Sequence, residues 1–256
     1  MLSFSNSTSD GTQRSPAIGA AYIKGDALGV FFWCPTARDL DSFETGAPGS
    51  VAQEALRTST TCYWRGVKEV LDMETSSGAP WYWRRIVFAY RAVHAPFNEA
   101  VPDSAAPLAT LAPYLETSSG YARFWNDQSI NNAGTTGVER FNILFRGAQG
   151  VDWSNVFTAP VDTRRVDLIS DKRHALSSGN ANGIYRQFKR WIPINKNLVY
   201  DGDETGENEG TSHFSVDDKR GVGNVYILDL FAAGAQGTGT DLLRVESTAT
   251  AYWHEK

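Results

Sequence analysis

The sequence is short of cysteine, of long apolar runs, of surplus positive charge and of every common catalytic signature. Only Cys34 and Cys62 occur among 256 residues. They form no CxxC pair, so a disulfide framework, a zinc ribbon and a thioredoxin-like site are disfavoured, and two buried thiols are expected. No run reaches the roughly 20 apolar residues of a membrane-spanning helix. The opening "MLSFSNSTSDG" lacks the charged head and apolar stretch of a signal peptide. A soluble chain with no membrane partner is the expectation, and the sequon at Asn6 would matter only in a secreted protein. A formal charge of -5, from 24 Lys and Arg against 29 Asp and Glu, excludes a protein that is basic throughout. Any nucleic-acid contact must then come from local clusters or from a segment outside this sequence.

Signs of catalysis are equally scarce. There is no GxSxG elbow, HExxH pair, Walker loop or GxGxxG turn. The four histidines, His94, His174, His213 and His254, stand singly, without the spacing that lets one element offer two imidazoles to a metal. The acidic stretch "DGDETGENEG" at Asp201–Gly210 imitates the start of a calcium loop, but Ser212 stands where the bidentate Glu belongs. A solvated acidic loop is the better reading. No catalytic residue, metal or cofactor is assigned. A glycosidase carboxylate pair would leave no fixed spacing, and none stands out.

Aromatics are plentiful, with eight Trp, ten Tyr and thirteen Phe, and 23 Gly and 10 Pro punctuate them. That mixture favours strands divided by turns. Eight runs read as strands: Ala17–Cys34, interrupted at Gly25, then Thr60–Met73, Trp81–Arg91, Val138–Phe145, Thr163–His174, Ile184–Ile194, Gly223–Phe231 and Asp241–Trp253. Helical heptads are absent, and a short helix is expected only near Asp152, from an acidic N-cap. Two Glu-Thr-Ser-Ser-Gly strings, at Glu74–Gly78 and Glu116–Gly120, read as turns. The fold class expected is all-β, an eight-stranded antiparallel jelly-roll sandwich with long inter-strand loops, within a single domain over residues 17–256. The long connections are Asp39–Ser59, Ala92–Gly137 and Tyr200–Gly221, and loops of that length usually carry function or contacts.

Positive charge gathers within the strand runs, beside rings. Arg84, Arg85 and Arg91 follow Trp81, Tyr82 and Trp83; Arg164, Arg165, Lys172 and Arg173 share a second run; Arg186, Lys189 and Arg190 lie among Tyr185, Phe188 and Trp191. Such interleaving suits single-stranded nucleic acid, with phosphates on cations and bases on rings. The competing reading puts the rings in the core and the arginines on a solvated face or at subunit contacts. The residues chosen for nucleic-acid binding are Arg84, Arg85, Lys172, Arg173, Arg186, Lys189, Arg190, Trp83 and Tyr185, with the facing left open because a one-residue register error inverts it.

Several strings together carry a family resemblance: "FFWCPTARDLDS" at Phe31–Ser42, "TSTTCYWRG" at Thr58–Gly66, "TSSGAPWYWRRIVF" at Thr75–Phe88, "DTRRVDLISDKRHALSSGN" at Asp162–Asn180, "FKRWIPINKNLVYDGDETG" at Phe188–Gly206, and the final "YWHEK". In this order, from about Ala17 to Lys256, the chain resembles the capsid proteins of genomoviruses, the gemycircularvirus-like group, which are distantly similar to geminivirus coat proteins. The resemblance implies a jelly-roll subunit without enzymatic activity that self-assembles into a T=1 icosahedral shell and packages circular single-stranded DNA. It implies a virion protein that passes through the host nucleus, using an Arg- and Lys-rich arm that engages the import machinery. Only Arg14 and Lys24 are basic in the first 25 residues. Residues 1–16 are accordingly expected to be the end of a missing or disordered arm. Two further expectations follow: the Asp201–Glu209 loop lies away from the genome, and deleting Ala105–Asn126 abolishes assembly but leaves a soluble or partly folded subunit. The rival reading from a different class is a β-sandwich carbohydrate-binding module or lectin, with exposed rings stacked on sugars.

Overall fold

The computed structural model describes residues 1–41, 55–91, 97, 112–117, 120–130, 134–202, 204–205, 208–209 and 211–255. Eight strands make two four-stranded antiparallel sheets. One sheet has the order β11 (Tyr185–Val199), β5 (Thr61–Thr75), β15 (Leu242–Glu255), β3 (Ala21–Lys24). The other has the order β10 (Asp167–Leu176), β6 (Trp81–Tyr90), β14 (Asn224–Ala233), β4 (Gly29–Trp33). Along these eight strands the chain changes sheet at every step except β6 to β10, the double-sheet arrangement of a jelly roll.

Alternation explains why these segments became strands. In β5 the side chains of Cys62, Trp64, Val67, Glu69, Leu71 and Met73 are buried, while Arg65, Lys68 and Glu74 are exposed. One face of that sheet therefore meets water. The second sheet is buried on both faces along β4, β14 and most of β6, while its edge strand β10 is largely exposed. On β4, Phe31 and Trp33 join the inter-sheet core, whereas Phe32 joins a separate cluster with Ile86, Phe88, Leu144, Phe145 and Trp153. That outer cluster is roofed by helix α1 (Gly134–Leu144) and the segment 145–166. The molecule is a sandwich with a third layer on one side only.

The run Ala17–Cys34 is interrupted at Gly25 as expected and holds two of the strands, β3 and β4, whereas Val138–Phe145 falls largely on α1. The helix was hidden because its buried stripe, Thr136, Arg140 and Leu144, holds one apolar residue in three. No helix starts at Asp152; its carboxylate instead accepts the Ala148 N–H at 2.8 Å in a turn. Further short strands complete the fold. β1 (Ser3–Ser7) pairs antiparallel with β2 (Gln13–Ile18) and parallel with β9 (Arg123–Trp125). β7 (Glu116–Thr117) and β8 (Gly120–Tyr121) form a small hairpin, as do β12 (Glu204–Thr205) and β13 (Asn208–Glu209).

One expectation needs correcting here. Residues 1–16 hold β1 and the start of β2. Ser5 is buried and donates to Ala20 O at 2.6 Å, and Asn6 is buried and donates to Asn126 Oδ1 at 2.9 Å. They are part of the folded body, and the sequon asparagine is not presented to solvent. Deleting Ala105–Asn126 would remove Arg123, Phe124 and Trp125, all buried, so partial folding is the form in which that subunit should persist. Of the long connections, residues 42–54, 92–96, 98–111, 118–119, 131–133, 203, 206–207 and 210 lie outside the described residues, and with them part of the acidic loop.

Cys34 and Cys62 are free and buried, and burial raises their thiols to about 11 and about 12. Burial likewise raises the Asp127 carboxyl to about 6, although its Oδ1 accepts from Val30 N, Ser129 N and Ser129 Oγ. The folded chain therefore holds a proton there that the unfolded chain releases near pH 4, so stability falls as pH rises from about 4 to about 6. Asp127→Asn should flatten that limb, worth about 3 kcal/mol at most, in denaturant titrations across the window. An unchanged slope would place the titrating group elsewhere.

Candidate nucleic-acid interface

Three of the nine residues chosen from the sequence are interior. Arg84 is fully buried under the third layer: Nε and Nη2 donate to Asp171 at 2.9 and 2.7 Å, Nη1 to Val156 O at 2.5 Å and Nη2 to Ala159 O at 2.8 Å. It pins the covering segment to the sheet. Arg85 points the other way, between the sheets, where it meets Glu69 Oε2 at 2.5 Å and both oxygens of Asp229 at 2.6 and 2.8 Å. Arg123 closes the cluster, bonding Glu69 Oε1 at 2.7 Å and Asp229 Oδ2 at 3.1 Å. Trp83 is buried and donates Nε1 to Asp229 Oδ1 at 2.8 Å. Two guanidiniums and two carboxylates thus balance inside the sandwich. Burial acts to raise the Glu69 carboxyl, but Arg85 and Arg123 outweigh it and hold it at about 2. Arg84, Arg85 and Trp83 are unavailable to a nucleic acid. Two consecutive arginines in a sheet covered on both faces could only be buried on opposite sides.

The other six lie on or near the surface. β10 and β11 are edge strands of their respective sheets, joined through residues 177–184. Lys172, Arg173, Arg186 and Lys189 are exposed along them. Arg190 is half-buried, with Nη2 3.2 Å from His174 Nε2 and its guanidinium 5.1 Å from the Phe188 ring centroid. Tyr185 is exposed, but its hydroxyl donates to Asp72 Oδ1 at 2.8 Å. It sits with Asp72, Glu74, Glu246 and Arg244, a half of the solvent-facing sheet where three carboxylates outnumber one guanidinium and Arg244 pairs with both glutamates. Phosphate gains nothing there, so Tyr185 is a poor contact.

The opposite half of that sheet face is different. Trp191 lies opposite Lys68, Lys189 opposite Val70, and Tyr252 opposite Gly66. The Trp191 and Tyr252 rings stand 5.7 Å apart and are 47% and 43% exposed. Around them are Lys68, Lys189, Arg65 and Lys196, all exposed and in no ion pair among the described residues. Arg65 Nη1 donates to Asn195 Oδ1 at 2.6 Å. Tyr63 and His254 stack nearby at 6.5 Å. Rings that can hold bases and cations that can hold phosphates therefore share one bare surface.

Gly66 makes the platform possible. Its φ is +151°, and a Cβ there would lie 2.4 Å from Ile192 O and 2.8 Å from Trp191 Cζ2. Only glycine lets the indole lie across the strand. Gly66→Ala should cost about 1–3 kcal/mol through backbone strain and blue- or red-shift the Trp191 emission as the ring moves. Unchanged stability and spectrum would show that the seat is not needed.

Sequence reading named Trp191 only as a neighbour of the third basic cluster and missed Tyr252, Lys68, Arg65 and Lys196 as site residues. Period-2 alternation could have grouped Lys189 with Trp191, but their meeting with Lys68 and Tyr252 depends on pairings between distant strands. No protein-family model and no curated protein matches the chain.

Proposed function

We propose that the chain is the capsid protein of a small single-stranded DNA virus, which self-assembles into a T=1 icosahedral shell and packages circular single-stranded DNA. The observation that carries this reading is the bare half-face bearing Trp191, Tyr252, Lys68, Lys189, Arg65 and Lys196 on a jelly roll whose other sheet is roofed. Sequence-tolerant binding needs what this face offers: rings for any base and cations for the backbone that form no ion pair among the described residues. The ordered genomovirus-like strings over residues 17–256 support the same reading. The face would line the lumen, with a basic arm supplying further neutralisation and nuclear import, and the protein would be found in the virion and, during assembly, in the host nucleus.

Sedimentation with ultraviolet detection, together with negative-stain microscopy before and after nuclease, tests it. Fast-sedimenting spherical particles with nuclease-protected DNA are expected. A slow, nucleic-acid-free species that binds glycans through the Trp191–Tyr252 face would overturn the proposal in favour of a carbohydrate-binding module.

A further inference from the structure

We propose that a pocket over the β6–β10 edge holds one nucleotide unit of a bound strand, with its base against Tyr82 and Phe157 and its phosphate on Arg173. This rests on the reading of the chain as a single-stranded-DNA-binding subunit and assigns it a second, separate contact. The pocket measures about 450 Å³, within the range of small-molecule sites. Tyr82, Trp83, Asn155, Phe157, Thr158, Arg173 and His174 line it, with Trp83 forming its buried floor.

Its chemistry favours a nucleotide. Strand alternation puts Tyr82 and Arg173 on the outward face of their sheet, beside the segment that carries Phe157. Tyr82 is 47% exposed, and its ring meets Phe157 at 62° with centroids 6.3 Å apart. Two rings at that angle make a corner in which a flat heterocycle stacks on one and abuts the other. Arg173 is half-exposed and fixed by its Nε, which donates to Phe157 O at 2.6 Å. Its nearest carboxylate, Asp171 at 3.5 Å, is already neutralised by Arg84 at 2.7 Å, so the Arg173 charge remains available to an anion. Asn155 Oδ1 accepts the Phe157 N–H at 2.8 Å, which leaves the amide nitrogen as a donor. Thr158 Oγ1 donates to Asn155 O at 3.1 Å and keeps its lone pairs as acceptors. A base edge offers both partners. A sugar would find no carboxylate in the lining to take its hydroxyls.

Position supports the same occupant. Lys189 on the platform, Arg186 and Arg190 on β11, then Lys172 and Arg173 on β10 carry positive charge from one sheet to the other. Arg190 reaches across to His174, which lines the pocket. A strand lying on Trp191 and Tyr252 can follow these cations around the open edge and lodge one base at Tyr82.

The test is fluorescence anisotropy with a labelled oligo-dA of about 12 nucleotides, on the whole chain, at several salt concentrations. Tyr82→Ala should weaken binding about tenfold with an unchanged salt slope. Arg173→Gln should weaken it and lower the slope by about 0.7. Tyr82→Leu keeps apolar bulk without the ring, so it should lose as much as the alanine variant, and it serves if the alanine variant does not fold. An oligonucleotide made abasic throughout should bind wild type and Tyr82→Ala equally. Wild-type affinity for oligo-dA in the Tyr82 variants overturns the pocket alone, whereas failure of the wild-type chain to bind oligo-dA overturns the DNA-binding reading as well.

Discussion

Glu69→Gln is expected to lower the free energy of unfolding by about 3–5 kcal/mol, read as a fall in the urea midpoint at constant m-value. Glu69 accepts from Arg85 at 2.5 Å and from Arg123 at 2.7 Å, and all four members of the cluster are buried. Neutralising it leaves two guanidiniums facing Asp229 alone, an uncompensated charge in a dry interior. Glu69→Gln combined with Arg123→Met restores the balance, because Arg85 keeps its two bonds to Asp229 at 2.6 and 2.8 Å. The double variant should therefore be less destabilised than the sum of the two single variants. Strict additivity would mean that the four groups do not act as a unit. The pH dependence has a definite sign. With the folded Glu69 carboxyl at about 2 and the usual value at 4.5, its contribution is present above about pH 4.5 and is lost as pH falls towards 2.

Replacing Lys68, Lys189, Arg65 and Lys196 together by alanine should lower the slope of log affinity against log salt by about 3, at about 0.7 per phosphate neutralised on a single strand. Trp191→Ala and Tyr252→Ala should each weaken binding about tenfold or more without altering that slope. Separate responses are the signature of the surface: cations set the ionic part and rings the stacking part. Retention of the full salt slope in the quadruple variant would move the interface elsewhere on the molecule. Substitutions at Arg84 or Arg85 should act differently, lowering the unfolding midpoint because each holds buried carboxylates or carbonyls.

Much of the sandwich was legible because strands write their faces locally. The runs around β5, β6, β10, β11, β14 and β15 could each be read from aromatic and β-branched content between turn residues. The helix was not legible, since its buried side presents Arg140, whose guanidinium lies 4.8 Å from the Phe32 ring centroid where an apolar side chain would be expected. The site was half legible. Composition identified cations beside rings, yet it could not say that Arg84 and Arg85 turn to opposite interiors, or that Trp191 meets Tyr252. Burial of Arg84 and Arg85 depends on carboxylates elsewhere in the chain, Asp171, Glu69 and Asp229, and single-strand patterns carry no trace of such partners.

The position of β15 has a consequence for how the protein is made. It is the last of the eight strands to leave the ribosome, yet it lies between β5 and β3, two of the first three. Until it emerges, β3 has no partner in its sheet and Tyr252 is missing from beside Trp191. Such long-range pairing closes slowly compared with local hairpins. A nascent chain therefore lacks the paired Trp191 and Tyr252 rings, and under the proposed function competence to bind single-stranded DNA would arise together with closure of the sheet.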